Sequence, residues 1–384
     1  MERKRYAIFS AQFLPHIGGV EFYTDNLARE LARRGHEVVV VASAMPDAPE
    51  YEVTESGVEV SRLPSFQLIG GRMPVPRRNG SFRRLLNEVS SRSYDGILVN
   101  TRFYLHSLVG LKMAKRLGLR PILCEHGSAY LTFGNALLDK AVVTYEHMIT
   151  ALVKRYSPDA YAVSGKGVAW LRTFGIEAKG VLSNSIDADA FAAQASSRDF
   201  RAELGVARDA LLVSFVGRLA PEKGVASLLE AMSVLEKEGV AALLVMAGDG
   251  PLRGIVEQCG LENVKFVGPL DRGDVAALQL QADVFCLPSR SEGFSTALLE
   301  AASCGVAPVA TDVGGVREIV ADDSYGIVLA NASSDSIAQA LRLLASDRAY
   351  ARQCAKRCAV RVRDRFSWAH TADAFIEACE RARR

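Results

Sequence analysis

The sequence predicts an α/β protein built from two doubly wound, Rossmann-like parallel-sheet domains that face each other across a cleft. Three observations predict it. At 384 residues the chain is too long for one ordinary core. Short Val/Ile/Leu-rich runs alternate with longer amphipathic ones from end to end, the pattern of strands covered on both faces by crossover helices. The pattern then restarts after a polar, strandless interval, SNSIDADAFAAQASSRDFRAELGVARD, residues 183–209.

Taken in order, the expected strands of the first half are YAIFS (6–10), EVVVVAS (37–43), GVEVSRL (57–63), GILVN (96–100), PILCEHG (121–127) and AYAVS (160–164). Those of the second half are LLVSFVG (211–217), ALLVMAG (242–248), VKFVG (264–268), DVFCLPS (283–289), VAPVAT (306–311) and GIVLA (326–330). Amphipathic stretches such as EFYTDNLARELARRG and VASLLEAMSVLEKEG lie between them. The division is set at residues 1–190 and 191–366, with the last helix, 367–384, crossing back to the first domain.

Bulk properties narrow the function. Hydrophobic content of 49% and charged content of 23% suit a soluble globular protein. A net charge of +2 gives no reason to expect a nucleic-acid partner. The seven cysteines are scattered without a C-x-x-C, and Cys354 and Cys358 share one helical face, as in a chain kept reduced in a cytosol. No apolar run is long enough to cross a bilayer, and MERKRYAIFSAQFLP reads as a first strand rather than a signal peptide. No His/Cys/Asp cluster has metal-ligand spacing, so no structural metal is expected.

In doubly wound sheets ligands bind outside the carboxyl ends of the strands, so the loops that follow strands carry the candidates. In SRSEGFSTALLEA, 289–301, Glu300 lies inside an apolar helical run and is not the capping-box acid, because a Ser295 or Thr296 cap puts Leu298 or Leu299 at N3. It is either a partly exposed glutamate favoured by the helix dipole or an acceptor for ligand hydroxyls. Glu292 could serve a second group, beside the N–H groups of Gly293, Phe294 and Ser295 at a helix N-terminus. Two carboxylates with exposed amides suit a polyhydroxylated, anionic ligand such as a sugar nucleotide.

In FVGRLAPEKG, 215–224, Arg218 and Lys223 follow a strand that ends at Gly217. They either form a solvated charge pair with Glu222 or hold phosphate, each contact giving about 4 kcal/mol at about 4 Å before desolvation. Gly18 and Gly19 precede a helix, which allows either a plain turn or an approach to an anion. His126 stands just past a strand with no partner visible in the sequence. The segment GGRMPVPRRNGSFRRLL, 70–86, carries Arg72, Arg77, Arg78, Arg83 and Arg84. It is either a solvated basic surface or one drawn to an anionic membrane or lipid-diphosphate acceptor, with Met73, Val75 and Phe82 inserting beside the charges at about 1 kcal/mol per cation.

Together these segments resemble the retaining glycosyltransferase family 4, of GT-B architecture. The resemblance rests on the Gly-Gly turn, His126 after a central strand, Arg218 and Lys223 in GRLAPEKG, and the E-x7-E spacing of Glu292 and Glu300, in order over nearly the whole chain. EHGSAYLTFGNALLDKAVVTYEH further looks like bacterial transferases of surface polysaccharides, and PVPRRNGS like the acceptor side of membrane-associated members. One departure is Ser185 in SNSID, where many members carry Asn-Gly.

The resemblance implies transfer of a sugar from a UDP- or GDP-linked donor to a hydroxyl of a glycan, lipid-linked sugar or glycolipid, with anomeric configuration retained and no metal or other cofactor. It implies that Gly217, Arg218 and Lys223 hold the diphosphate, and that Glu292 with Gly293, Phe294 and Ser295 binds the transferred sugar. Glu300 would hold the ribose, Gly18 and Gly19 would approach the phosphates, and His126 would contact the donor sugar near the reacting carbon. Rival readings are a sugar-nucleotide epimerase on the same architecture and a catalytically silent sugar-nucleotide-binding subunit. The expected location is the cytoplasm, with peripheral contact at the inner face of the cell membrane.

Overall fold

The computed structural model describes residues 2–46, 48–68, 73–130, 135–207 and 209–383. The chain forms two compact units, one of Met1–Asn184 with Trp368–Arg384 and one of Ser185–Ser367. The division falls short of residue 190 because Ile186 and Phe191 are buried in the core of the second unit.

The strands of the first unit are β1 (Arg5–Phe9), β2 (Glu37–Ser43), β3 (Tyr51–Val53), β4 (Glu59–Leu63), β5 (Ser65–Leu68), β6 (Met73–Pro76), β7 (Gly96–Asn100), β8 (Ile122–Glu125), β9 (Asp159–Ala162) and β10 (Gly180–Val181). Eight of them make one sheet in the order β10-β9-β8-β7-β1-β2-β4-β3, parallel except for β3 against β4. The order reverses between β1 and β7, which pair in register Tyr6 to Gly96 through Phe9 to Val99. β5 and β6 form a separate antiparallel hairpin.

The C-terminal helix Trp368–Arg383 packs on this unit. Phe375 is buried with its ring centroid 5.2 Å from that of Tyr6, Arg34 donates to Asp373 at 2.5 Å, and Thr371 Oγ1 donates to the Ser183 carbonyl at 3.1 Å.

The second unit holds β11 (Leu211–Val216), β12 (Ala242–Ala247), β13 (Val264–Gly268), β14 (Val284–Leu287), β15 (Ala307–Thr311) and β16 (Ile327–Leu329), all parallel, in the order β13-β12-β11-β14-β15-β16. Alternate residues of β11 enter two cores, Leu211, Val213 and Phe215 on one face and Leu212 on the other, as the two-residue period of a strand requires. On that second face Ser214 is buried too, its hydroxyl donating to Gln279 Oε1 at 2.9 Å. The direction of winding reverses between β11 and β14, so the loops that leave these two strands are neighbours at the switch point.

All twelve expected strands are present within a few residues of their expected ends. β3, β5, β6 and β10 carry no such signal, being two to four residues long and mostly exposed or half-exposed. All seven cysteines are free thiols. Among the described residues no helix is long and apolar enough to cross a membrane, and no group of three or more His, Cys, Asp or Glu could hold a metal ion.

Candidate active site

In the second unit the loops after β11 and β14 are tied together. Lys223 Nζ donates to Glu292 Oε1 at 2.6 Å, and Ser289 Oγ donates to the same oxygen at 2.8 Å. The Arg290 amide donates to the Glu222 carbonyl at 2.7 Å. Gly224 makes this closeness possible, and Gly248 a second one, between the loops after β12 and β11. Gly224 has φ +71°, and a Cβ there would stand 2.2 Å from the Pro288 carbonyl oxygen. Gly248, leaving β12 with φ +139°, lies so close to Gly217 that a Cβ would meet its carbonyl oxygen at 1.9 Å. Only glycine fits at either place.

The two cations sit differently. Arg218 is half-exposed and pairs with Glu222, the solvated pair raised as one reading of the sequence. Such a pair is worth under about 1 kcal/mol, so a doubly charged diphosphate can draw Arg218 away from it. Lys223 is mostly buried and held by Glu292, which orients its ammonium.

The helix Thr296–Ser303 starts at Ser295, whose Oγ accepts from the Leu298 amide at 3.2 Å. Leu298 is therefore N3, and Glu300 lies two residues further in, between Leu299 and Ala301, which are both fully buried. Burial pushes the Glu300 carboxyl up to about 7, and the Arg272 guanidinium pulls it part of the way back. Glu300 is itself only half-buried, and its carboxylate makes no hydrogen bond or ion pair with a described residue. The Phe294 ring turns inward, 5.7 Å from that of Phe366, so this position offers a ligand its backbone rather than its ring.

In the first unit His126 follows β8. Its Nε2 lies 3.0 Å from Asn100 Oδ1, and its ring meets the edge of Tyr23 at 4.7 Å. Burial pushes the imidazole down to about 3, which keeps it neutral. Gly18 is extended, with φ −168°, a conformation open to any residue, so the tight turn expected of the Gly-Gly pair is not what selects glycine here. The helix Gly19–Arg33 has no side-chain cap at Gly18. Glu21 of its first turn is buried 3.2 Å from His16 Nδ1 and fills the space over Gly18.

The arginine segment needs correction. Phe82 is buried under the helix Gly80–Ser90 and cannot insert into a lipid surface. Arg84 has two acid partners, Glu50 from a distant loop at 2.8 Å and Glu88 one turn along its own helix at 3.2 Å. Arg77 lies over the Phe66 ring, while Arg78 and Arg83 are exposed. Arg72 lies outside the described residues.

Sequence reasoning missed Ser289, Glu21, Thr24 and Asn100. It also passed over Gly248 and Gly250, although Gly-Asp-Gly directly after a strand is a readable sign of close backbone approach.

Comparison with known proteins gives two family matches in the order of the two units. The model described as Glycosyltransferase Family 4 matches residues 17–190, and that described as Glycosyl transferases group 1 matches residues 196–360. The chain belongs to glycosyltransferase family 4. This glycosyltransferase has the GT-B fold. It is 28% identical over 404 residues to the D-inositol 3-phosphate glycosyltransferase of Saccharomonospora viridis, covering 97% of this chain and 93% of that one. The GDP-mannose-dependent alpha-(1-6)-phosphatidylinositol monomannoside mannosyltransferase of Mycolicibacterium smegmatis is 28% identical over 354 residues, 87% of each chain. Among solved structures, sucrose-phosphate synthase from Thermosynechococcus elongatus has a TM-score of 0.77 at 22% identity, with 99% of each chain covered. HepE of Anabaena, solved with UDP-glucose, has a TM-score of 0.71 at 19% identity, with 99% of this glycosyltransferase and 100% of HepE covered.

Proposed function

We propose that this glycosyltransferase moves a sugar from a nucleoside-diphosphate donor to a hydroxyl of a glycan, lipid-linked sugar or glycolipid, with retention and in the building of cell-surface polysaccharide or glycolipid. The observation that carries the reading is the locked pair of loops at the β11/β14 switch point, with Lys223 held 2.6 Å from Glu292 and Arg218 weakly held beside it.

In the proposed step the bond from the anomeric carbon to the phosphate oxygen breaks, and its electron pair leaves with the diphosphate. The acceptor oxygen bonds to that carbon from the same face, and its proton passes to the leaving phosphate oxygen. Arg218 and Lys223 offset the charge that grows on the diphosphate, the role in which fixed cations act most strongly. Gly217 allows backbone approach, Glu292 and the amides of Gly293, Phe294 and Ser295 bind sugar hydroxyls, and Glu300 accepts from the ribose. In the first unit the uncapped helix start at Gly18 and Gly19 meets phosphate, and His126 meets the transferred sugar. These residues do the electrostatic work without a metal or other cofactor. UDP and GDP donors both remain in the reading, since HepE was solved with UDP-glucose and the Mycolicibacterium relative is named for GDP-mannose.

The acceptor side is proposed to meet an anionic membrane surface from the cytoplasm, through Phe66, Leu68, Arg77, Arg78 and Arg83. Phe66 and Leu68 are the apolar side chains that the hairpin leaves exposed.

A panel of UDP- and GDP-sugars, scored by rise in melting temperature and then by product formed with sugar and lipid-linked acceptors, tests the reading. One donor should raise Tm. Arg218→Ala and Lys223→Ala should each lower turnover by about a hundredfold or more with the fold intact. Small effects from both, or no stabilising donor, overturn it.

A further inference from the structure

Two buried polar side chains stand behind His126. Thr24 and Asn100 are 0% and 1% exposed. The Thr24 hydroxyl has one proton, and it donates this to the Val20 carbonyl at 2.7 Å. Ser10 Oγ, 3.3 Å from Thr24, gives its own proton to the Gln12 carbonyl at 2.7 Å and so offers Thr24 only a lone pair. Toward Asn100 the Thr24 oxygen can therefore only accept, and Asn100 Nδ2 donates to it at 2.8 Å. That bond fixes the amide, which leaves Oδ1, an acceptor, facing His126 Nε2 at 3.0 Å. Two acceptors cannot share a hydrogen bond, so Nε2 carries the proton. The other nitrogen of a neutral imidazole is then a bare acceptor, and Nδ1 bonds to no described residue.

We propose that Thr24 and Asn100 are positioning residues that hold His126 as its Nε2–H tautomer, so that Nδ1 accepts a hydrogen bond from a hydroxyl of the transferred sugar. The recognition half of this rests on the functional reading above, in which His126 meets that sugar. The hydrogen-bond chain stands without it. Burial, which pushes the imidazole down to about 3, keeps Nδ1 unprotonated at neutral pH. The consequence is a choice among donors. A hydroxyl at the contacted carbon donates to Nδ1, a missing hydroxyl leaves Nδ1 unpaired, and a carboxylate there meets lone pair with lone pair.

The test uses the full chain labelled with 15N-histidine. Among its six histidines, the His126 signal is identified by its loss in His126→Gln. Wild type should show Nε2–H at neutral pH. Thr24→Val, nearly the same shape, removes the acceptor that orients the amide and should bring the Nδ1–H tautomer to a comparable population. Thr24→Ser should restore the single form. In turnover, one monodeoxy analogue of the best donor should lose about tenfold in kcat/KM with wild type, the loss of one hydrogen bond. Thr24→Val should show a similar loss on the parent donor and little further loss on the analogue, and Thr24→Ser should behave as wild type.

An Nδ1–H or imidazolium signal in wild type, or an unchanged tautomer in both Thr24→Val and Asn100→Leu, overturns the positioning role. The expected tautomers with no sensitivity to any deoxy analogue keep the positioning role and overturn the sugar contact. The expected tautomers in a protein that binds no sugar nucleotide count instead against the functional reading.

Discussion

At the scale of single residues, Glu300 joins stability to ligand in opposite senses of pH. Its folded value, about 7, lies above the ordinary 4.5 because burial disfavours the charge. Between those values the folded protein keeps a proton that the unfolded chain has lost, so stability falls as pH rises through that window. Glu300→Gln has no charge to bury. Thermal melts should show it more stable than wild type by about 2–6 °C near pH 8 and equal to it near pH 4. Ribose hydroxyls can donate only to lone pairs and favour the carboxylate, so donor binding should release a proton and strengthen from about pH 5.5 to pH 8 in calorimetry. An affinity that is flat across that range, or the same in Glu300→Gln, returns this residue to the dipole reading. Lys223, Glu292 and His126 were legible in the sequence, but Asn100 and the pairings were not. Lys223 and Glu292 are 69 residues apart, and Asn100 and His126 are 26 apart; no local period connects either pair, so only the folded sheet brings them together.

At the scale of elements, most of the strands that the sequence made plain, β13 and β16 apart, are buried on both faces, because a fully buried strand needs an unbroken apolar run. The hairpin of β5 and β6 escaped notice for the opposite reason. β5 is exposed along most of its length, and β6, MPVP, carries two prolines, which suit only an edge. The hairpin leaves Phe66 52% and Leu68 50% exposed, with Arg77 over the Phe66 ring at 5.4 Å. Arg78 and Arg83 follow with no acid partner among the described residues. Cations near an anionic bilayer contribute about 1 kcal/mol each, so the protein should sediment with anionic vesicles at low salt and not with neutral ones. Changing Phe66 and Leu68 to serine and Arg78 and Arg83 to alanine should weaken this by about a hundredfold or more. Equal sedimentation with neutral vesicles, or no loss in that variant, removes the hairpin from the membrane account.

At the scale of the whole molecule, the two units stand in unequal relation to the chain. The second is one continuous segment, Ser185–Ser367, closed by a hydrogen bond from the Ile186 amide to the Phe366 carbonyl at 2.8 Å. The first needs both ends of the chain, because Trp368, Ala372, Phe375 and Cys379 of the last helix are buried in it. Burying one such aromatic side chain is worth about 1.5–3 kcal/mol, so without that helix the first unit loses a large part of a net stability of about 5–15 kcal/mol. Residues 185–367 expressed alone should therefore fold, while residues 1–184 alone should be soluble only in part and melt without a cooperative transition. The second unit carries Arg218, Lys223, Glu292 and Glu300, with the pairs Arg218–Glu222 and Lys223–Glu292 both inside it. Its isolated form should still gain Tm from the nucleoside diphosphate of the preferred donor, and form no product with any acceptor. If that segment folds cooperatively yet gains nothing from any nucleoside diphosphate, the proposed seat of the donor in the loops after β11 and β14 is wrong, whatever the full chain transfers.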